Sequence, residues 1–297
     1  MIETEPFTLI YKLLFVFEYQ GRSFVQGQDQ CVNRCCQTNP CLQGGICQDI
    51  CDPTTVRSNC TCPVDYTGQQ CKKKPRSCRD LAANGATISG MHFLYDSQNN
   101  LFPVYCDFDS EAGYVWALIQ SFSLANKDQF KDYRFGVNHP VNEDGGMVNW
   151  DAYRLSLSRM QSILYVSTHL RATFNFPVAG LVYTDYTRAK LEGHELFGDW
   201  IAQCRTYEYL NIRGIEYQEC TAGTWQRKAW HINSYLSSTN AGCQFHGSNG
   251  VFMERNFGLY LYVNSAFRCT ANLNSTTQQW IGSKLPKDAI LATKRHA

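Results

Sequence analysis

Nine of the 15 cysteines in the 297-residue chain fall between Cys31 and Cys71. A block of that size has too much surface for its volume to fold on an apolar core alone, so cross-links must replace the core. Zinc would need CxxC pairs or nearby His, and the block contains neither. The cysteines are therefore read as disulfides, which persist in oxidising compartments. The chain is expected to be secreted or to face the outside of the cell. Fifteen is odd, so at least one cysteine lacks a partner within the chain. It is a free thiol, a link to a second chain in an oligomer, or the partner of a cysteine upstream.

Charge and hydropathy narrow the function. Lys+Arg 27 against Asp+Glu 26 leaves a net charge of +1, which excludes the basic field of a nucleic-acid binder. Hydrophobic residues at 44% suffice for a sizeable core elsewhere in the chain. No run of about 20 apolar residues provides a strong membrane span. Residues 1–30 read as a poor signal peptide. The apolar run from Phe7 to Phe17 is broken by Lys12 and preceded by Glu3 and Glu5 rather than by bases. Three readings stay open: a signal peptide, a remnant of an upstream segment, or a membrane anchor bearing extracellular domains.

Within the block, Asn39-Pro40-Cys41-Leu42-Gln43-Gly44-Gly45-Ile46-Cys47 and Cys60-Thr61-Cys62-Pro63-Val64-Asp65-Tyr66-Thr67-Gly68-Gln69-Gln70-Cys71 carry a spaced cysteine pattern. Residues 31–72 resemble an EGF-like domain. The resemblance implies the pairs Cys36–Cys47, Cys41–Cys60 and Cys62–Cys71. Cys31, Cys35 and Cys51 lie outside the pattern, and Cys35 competes with its neighbour Cys36. The calcium-binding signature of some EGF-like modules is missing before Cys36. Residues 73–77, Lys73-Lys74-Pro75-Arg76-Ser77, read as a solvated basic linker, with a heparin-like or protease-sensitive site as the alternative.

Beyond the linker come Ser77-Cys78-Arg79-Asp80-Leu81, then Val104-Tyr105-Cys106-Asp107, then Gly113-Tyr114-Val115-Trp116-Ala117-Leu118-Ile119-Gln120. Asp80 suits a first helical turn, and Val115 to Ile119 is an apolar strand run. Residues 78–285 resemble a fibrinogen C-terminal-like domain, and the resemblance implies Cys78–Cys106. It fades after residue 120, where the family's Asp-x-Asp calcium loop and Trp-Trp-x-x-Cys-His segment are not intact. The arrangement is similar to divergent fibrinogen-like domains of corals and anemones, some of them in chains of the skeletal organic matrix. The expected fold class is a small disulfide-rich β EGF-like module plus an α+β fibrinogen-like domain, with a tail at 286–297. A helix is expected over Asp151 to Leu164, a strand pair over Tyr165 to Phe176, and all six Trp in the core.

Chemistry-bearing patterns are sparse. His194-Glu195-Leu196-Phe197 lacks the second His of a zinc-protease helix, and no nucleophile elbow or phosphate-binding loop occurs. No catalytic residue is assigned, and no cofactor beyond a candidate calcium ion. Asn142, Glu143 and Asp144 form the candidate calcium loop, because carboxylate and amide oxygens meet there on a turn flexed by Gly145-Gly146. Phe245, His246 and Asn249 are the candidate ligand contacts, Phe245 as a stacking face. Asn274 and Asn59 head N-glycosylation sequons. Sequence proximity favours Cys204–Cys220 and Cys243–Cys269 for the late cysteines. The expected function is a secreted, non-catalytic matrix or adhesion protein that binds a glycan or matrix protein, with an association with mineralised matrix in view. An innate-immune lectin is the alternative, and an EGF-type signalling ligand a more distant one.

Overall fold

Cys47 stands opposite Cys60 across a two-stranded antiparallel hairpin, β1 (Ile46–Asp52) and β2 (Thr55–Thr61). The computed structural model describes residues 35–52, 55–63, 66–199, 201, 203–233, 242–245 and 256–286. Disulfides join Cys36 to Cys47, Cys41 to Cys60 and Cys62 to Cys71 around this hairpin. Gly45 is required by a close approach: a Cβ there would meet the Cys71 sulfur at 2.7 Å. Cross-links and a two-stranded ribbon thus stand in for a core, as the size of the block demands.

The basic segment after Cys71 is hydrogen-bonded to the residues on either side of it. Lys73 exchanges backbone hydrogen bonds with Thr67 (2.5 and 3.0 Å), Pro75 is buried, and Tyr95 N donates to Pro75 O at 2.9 Å. The Lys74 ammonium sits over the Tyr95 ring, 4.3 Å from its centroid. Asn84 also reaches back, donating to Tyr66 O and accepting from Thr67 Oγ1. Pro75 has no N–H to satisfy, so it can enter this interface without leaving an orphan donor.

The described residues beyond it are built on an 11-stranded antiparallel sheet. Its strands are β3 (Gly90–Tyr95), β4 (Leu101–Asp107), β5 (Tyr114–Ser123), β6 (Ala152–Arg154), β7 (His169–Phe174), β8 (Asp185–Lys190), β9 (Gln203–Ile212), β10 (Ile215–Trp225), β11 (His231–Asn233), β12 (Asn256–Phe257) and β13 (Thr276–Lys284). The spatial order is β12-β11-β10-β9-β8-β7-β13-β5-β4-β3, with β6 paired to β5. Helices are short: α1 (Cys78–Ala83), α2 (Leu157–Leu164) and α3 (Phe176–Ala179). The large domain is therefore mostly β, and the α+β expectation is corrected.

Local chemistry sets the elements. Ser77 and Asp80 form a reciprocal capping box at α1: Asp80 N donates to Ser77 Oγ and Ser77 N donates to Asp80 Oδ2. Cys78 is bonded to Cys106 on β4. The helix expected from Asp151 starts only at Leu157, because Ala152, Tyr153 and Arg154 pair with β5 instead. The strand pair expected over Tyr165 to Phe176 is the single strand β7, which pairs with β13 and β8. Trp116, Trp280 and Trp230 are fully buried, Trp150 and Trp225 are partly buried, and Trp200 lies outside the described residues.

β13 is the central strand between β5 and β7, and all its residues but Lys284 are buried. Its glutamines are satisfied in full view of the core. Gln120 Nε2 donates to Gln279 Oε1, Gln279 Nε2 donates to Gly258 O, and Gln278 bonds Thr173, Ser121 and Phe176 N. A Cβ on Gly282 would meet Val115 O at 2.1 Å, so only glycine fits where β13 passes β5.

Candidate functional site

Arg154 organises the surface beside β5 and β6. Its side chain is wholly buried and faces no carboxylate among the described residues. The guanidinium donates to Gln120 Oε1 (2.6 Å), Tyr133 O (3.2 Å), Arg134 O (2.8 Å) and Val137 O (3.1 Å). Burial disfavours the cation and pulls its pKa down to about 10, so it stays charged at neutral pH. Three carbonyls converging on one planar cation fix the loop over residues 130–141. That loop stacks the Tyr133 and His139 rings 3.7 Å apart and 7° from parallel. Burial also lowers the pKa of His139, whose Nε2 lies 3.0 Å from Gln129 O.

The next turn forms the rim of an open groove lined by Pro140, Asn142, Glu143, Asp144, Met147 and Asn149. Met147 is 82% exposed. Asn142 Nδ2 donates to Ala152 O at 2.7 Å, Glu143 Oε2 accepts from Ser156 N at 2.5 Å, and both acids pair with Arg159, at 3.1 and 2.7 Å. The groove offers amides, a carboxylate edge and one thioether face. That combination suits a polar, hydroxyl-rich or peptide ligand.

A calcium ion does not fit Asn142, Glu143 and Asp144 as they stand. Both carboxylates point at the Arg159 guanidinium, and the Asn142 side chain donates its amide to a carbonyl. Among the described residues no group of three or more His, Cys, Asp or Glu is arranged to hold a metal ion.

Phe245 is not a stacking face. It is 4% exposed and packs edge-to-face on Tyr217, 5.2 Å between centroids, because its backbone is tied to Thr221 O of β10. His246 and Asn249 lie outside the described residues. Asn274 is exposed in the turn before β13, and Asn59 is exposed on β2 next to the bridged Cys60.

The late cysteine pairing is corrected: Cys204 bonds Cys243. On the β9–β10 ladder Cys204 stands opposite Gly223 and Cys220 opposite Tyr207. An odd offset of three places the two sulfurs on opposite faces of the sheet. Cys220 is a buried thiol whose pKa burial pushes up to about 11. The Cys269 thiol hydrogen-bonds the buried Asp185.

A ladder of charge also runs through the core. Arg171 is buried between the Trp116 and Trp280 rings, 4.7 and 4.5 Å from their centroids. It pairs with Asp107 and Glu111; Glu111 also pairs with Arg188, and Arg188 with Glu208. No sequence motif marks Arg154, Arg159 or Arg171. The available signal was a cation flanked by apolar residues, as in Ala152-Tyr153-Arg154-Leu155 and His169-Leu170-Arg171-Ala172.

Comparison with known proteins bears on this surface. Residues 74–165 match the family described as fibrinogen beta and gamma chains, C-terminal globular domain, so a fibrinogen-type C-terminal domain is found in the chain. Ficolin-3 of Homo sapiens is 35% identical over 77 residues, which cover 25% of this chain and 25% of that protein. The chain thus aligns with about a quarter of the length of this curated relative. The groove and the residues that shape it, from Tyr133 to Arg159, fall inside the matched family stretch.

Proposed function

We propose that the protein is a secreted, non-catalytic recognition protein whose fibrinogen-type domain binds an extracellular glycan or protein ligand through the groove at residues 140–149. The observation that carries this reading is the position of an open, polar groove, held by the buried Arg154 and the half-buried Arg159, inside the fibrinogen-type stretch. Residues 31–72 act in this reading as an EGF-like spacer, and the wider role is in an extracellular matrix of the coral skeletal type. The similarity to Ficolin-3 favours a second reading, a soluble lectin of innate immunity built on the same domain. No helix among the described residues is long and apolar enough to cross a membrane.

A glycan array and a matrix-extract column test the proposal, with the double variant Met147→Ser/Asn149→Ala beside the parent. Retention on either surface should fall in the variant while its melting transition stays in place. Equal retention by parent and variant removes the groove from the binding site. Proteomics of demineralised skeleton against soluble body fluid separates the matrix reading from the lectin reading.

A further inference from the structure

Lys72, Lys73, Lys74, Arg76 and Arg79 put five cations into eight consecutive residues with no acid among them. The whole chain carries only +1, so the remainder is net acidic and this stretch is a local exception. Several exposed bases elsewhere in the large domain are matched by acids, as in Lys131 with Asp128, Lys190 with Glu208 and Lys228 with Asp132. Among the described residues none of the five side chains is so matched. Lys74 lies over the Tyr95 ring, and Arg76 donates to two neutral oxygens, Asp96 O and Asn99 Oδ1.

The nearby carboxylates Asp80 and Asp96 accept from neutral N–H donors: Asp80 accepts from Arg76 N and Ser77 N, and Asp96 accepts from Gln98 N, Asn100 N and Asn100 Nδ2. The stretch is also held at both ends. Cys71 is bonded to Cys62 and Cys78 to Cys106, and both cysteines are buried. Between them the backbone pairs with Thr67 and Tyr95. Lys72, Lys73 and Arg79 are exposed on this fixed backbone. Seven residue steps span at most about 25 Å, a few Debye lengths, so neighbouring charges reinforce one another in one strip.

We propose that residues 72–79 form a docking strip for a sulfated polysaccharide chain, separate from the groove at residues 140–149. A linear polyanion matches a linear row of cations. The fixed backbone removes most of the ordering cost that a loose basic linker would impose on binding. The disulfides that pin the strip belong to an oxidising, extracellular setting, where such polyanions occur. A near-neutral chain with one short basic strip lacks the extended field that duplex nucleic acid engages.

The test is retention of the full chain on immobilised heparin at about 0.15 M salt. Desulfated heparin, phosphatidylserine vesicles and duplex DNA serve as separate arms. The variant Lys72→Ala/Lys73→Ala/Arg79→Ala should bind heparin at least about tenfold more weakly, and the slope of log affinity on log salt should fall by about one per cation removed. Lys72→Arg/Lys73→Arg/Arg79→Lys should bind like the parent, and so should the control Lys131→Ala/Lys228→Ala. Melting curves matched to the parent establish that each variant is folded. Flow-through of the parent, undiminished binding of the alanine variant, or equal binding to desulfated heparin, vesicles or DNA would overturn the assignment.

Discussion

Arg171 and Asp107 form an ion pair from which water is excluded on both sides: the two side chains are 0% and 1% exposed. Burial alone would raise the Asp107 pKa, but the Arg171 charge and hydrogen bonds from Ser110 hold it below the ordinary carboxylate value. Removing one partner leaves an uncompensated charge in the core. Asp107→Ala should therefore destabilise the domain by about 3–5 kcal/mol in urea unfolding. The double change Asp107→Asn/Arg171→Met should cost clearly less than the two single changes together. Because the folded-state pKa is depressed, this contribution is present above the ordinary value near 3.9 and is lost as the pH falls through the lower folded value. A single-variant cost under about 1 kcal/mol would contradict the buried pairing.

His194 supplies a separate acid sensitivity at higher pH. Its ring is 2% exposed, its Nε2 lies 2.9 Å from Thr206 O, and burial pulls its pKa down from 6.5 to about 4. The unfolded chain takes up this proton below about pH 6.5, while the folded chain resists until about pH 4. Stability is therefore full above pH 6.5 and falls by as much as roughly 3 kcal/mol on acidification through that window. Urea unfolding of His194→Gln at pH 7, 5.5 and 4.5 should give a flatter profile than the parent. Parallel profiles would show that the proton is taken up elsewhere.

Glu143 and Asp144 face the same guanidinium but differ in exposure, their side chains being 13% and 73% accessible. Glu143 also accepts from Ser156 N at the start of α2. Glu143→Ala should cost about 1–2 kcal/mol, because it strands a half-buried amide and a guanidinium. Asp144→Ala should cost no more than about 0.5 kcal/mol, as an exposed pair does. Saturating calcium should leave the melting temperature of the parent unchanged. A calcium-dependent rise that disappears in the double variant would restore the loop as an ion site.

Non-reducing digestion and mass spectrometry address the cross-links directly. A Cys204 peptide should be recovered joined to a Cys243 peptide, and Cys62 joined to Cys71. Cys220 should resist alkylation in the folded protein, because its thiol is buried with a pKa near 11, and react on unfolding. Recovery of Cys204 joined to Cys220 would require β9 and β10 to shift register by an odd number of residues.

The parts of the fold that were legible in the sequence are those whose causes are local. The Ser77–Asp80 capping box lies within four residues, and Val115 to Ile119 is an apolar run in a strand buried along its whole length. β13 was not legible. Its Thr276-Thr277-Gln278-Gln279 start reads as a polar loop, and it is buried only because Gln120 and Ser121, 159 and 157 residues away, satisfy the glutamine amides. The same holds for the groove. Asn142 to Asp144 reads as an oxygen-rich turn, but the partner that decides its chemistry is Arg159, fifteen residues past Asp144, on a helix that starts at Leu157 rather than at the Asp151 its apolar spacing predicts. Phe245 reads as an exposed aromatic because nothing in its neighbourhood of sequence announces Tyr217.

The central place of β13 also governs the order in which the sheet is assembled. Gln279 follows its partner Gln120 by 159 residues, so at about 5–20 residues per second a ribosome takes on the order of ten to thirty seconds to supply it. During that interval β5 and β7 are synthesised but lack the strand that joins them. Each presents an unsatisfied apolar edge that a neighbouring nascent chain could pair with. The halves on either side of β13 become one sheet only when Thr276–Lys284 slots between them. Expression of any shortened form that stops before Thr276 should accordingly yield aggregate rather than a smaller folded domain, however intact its disulfides.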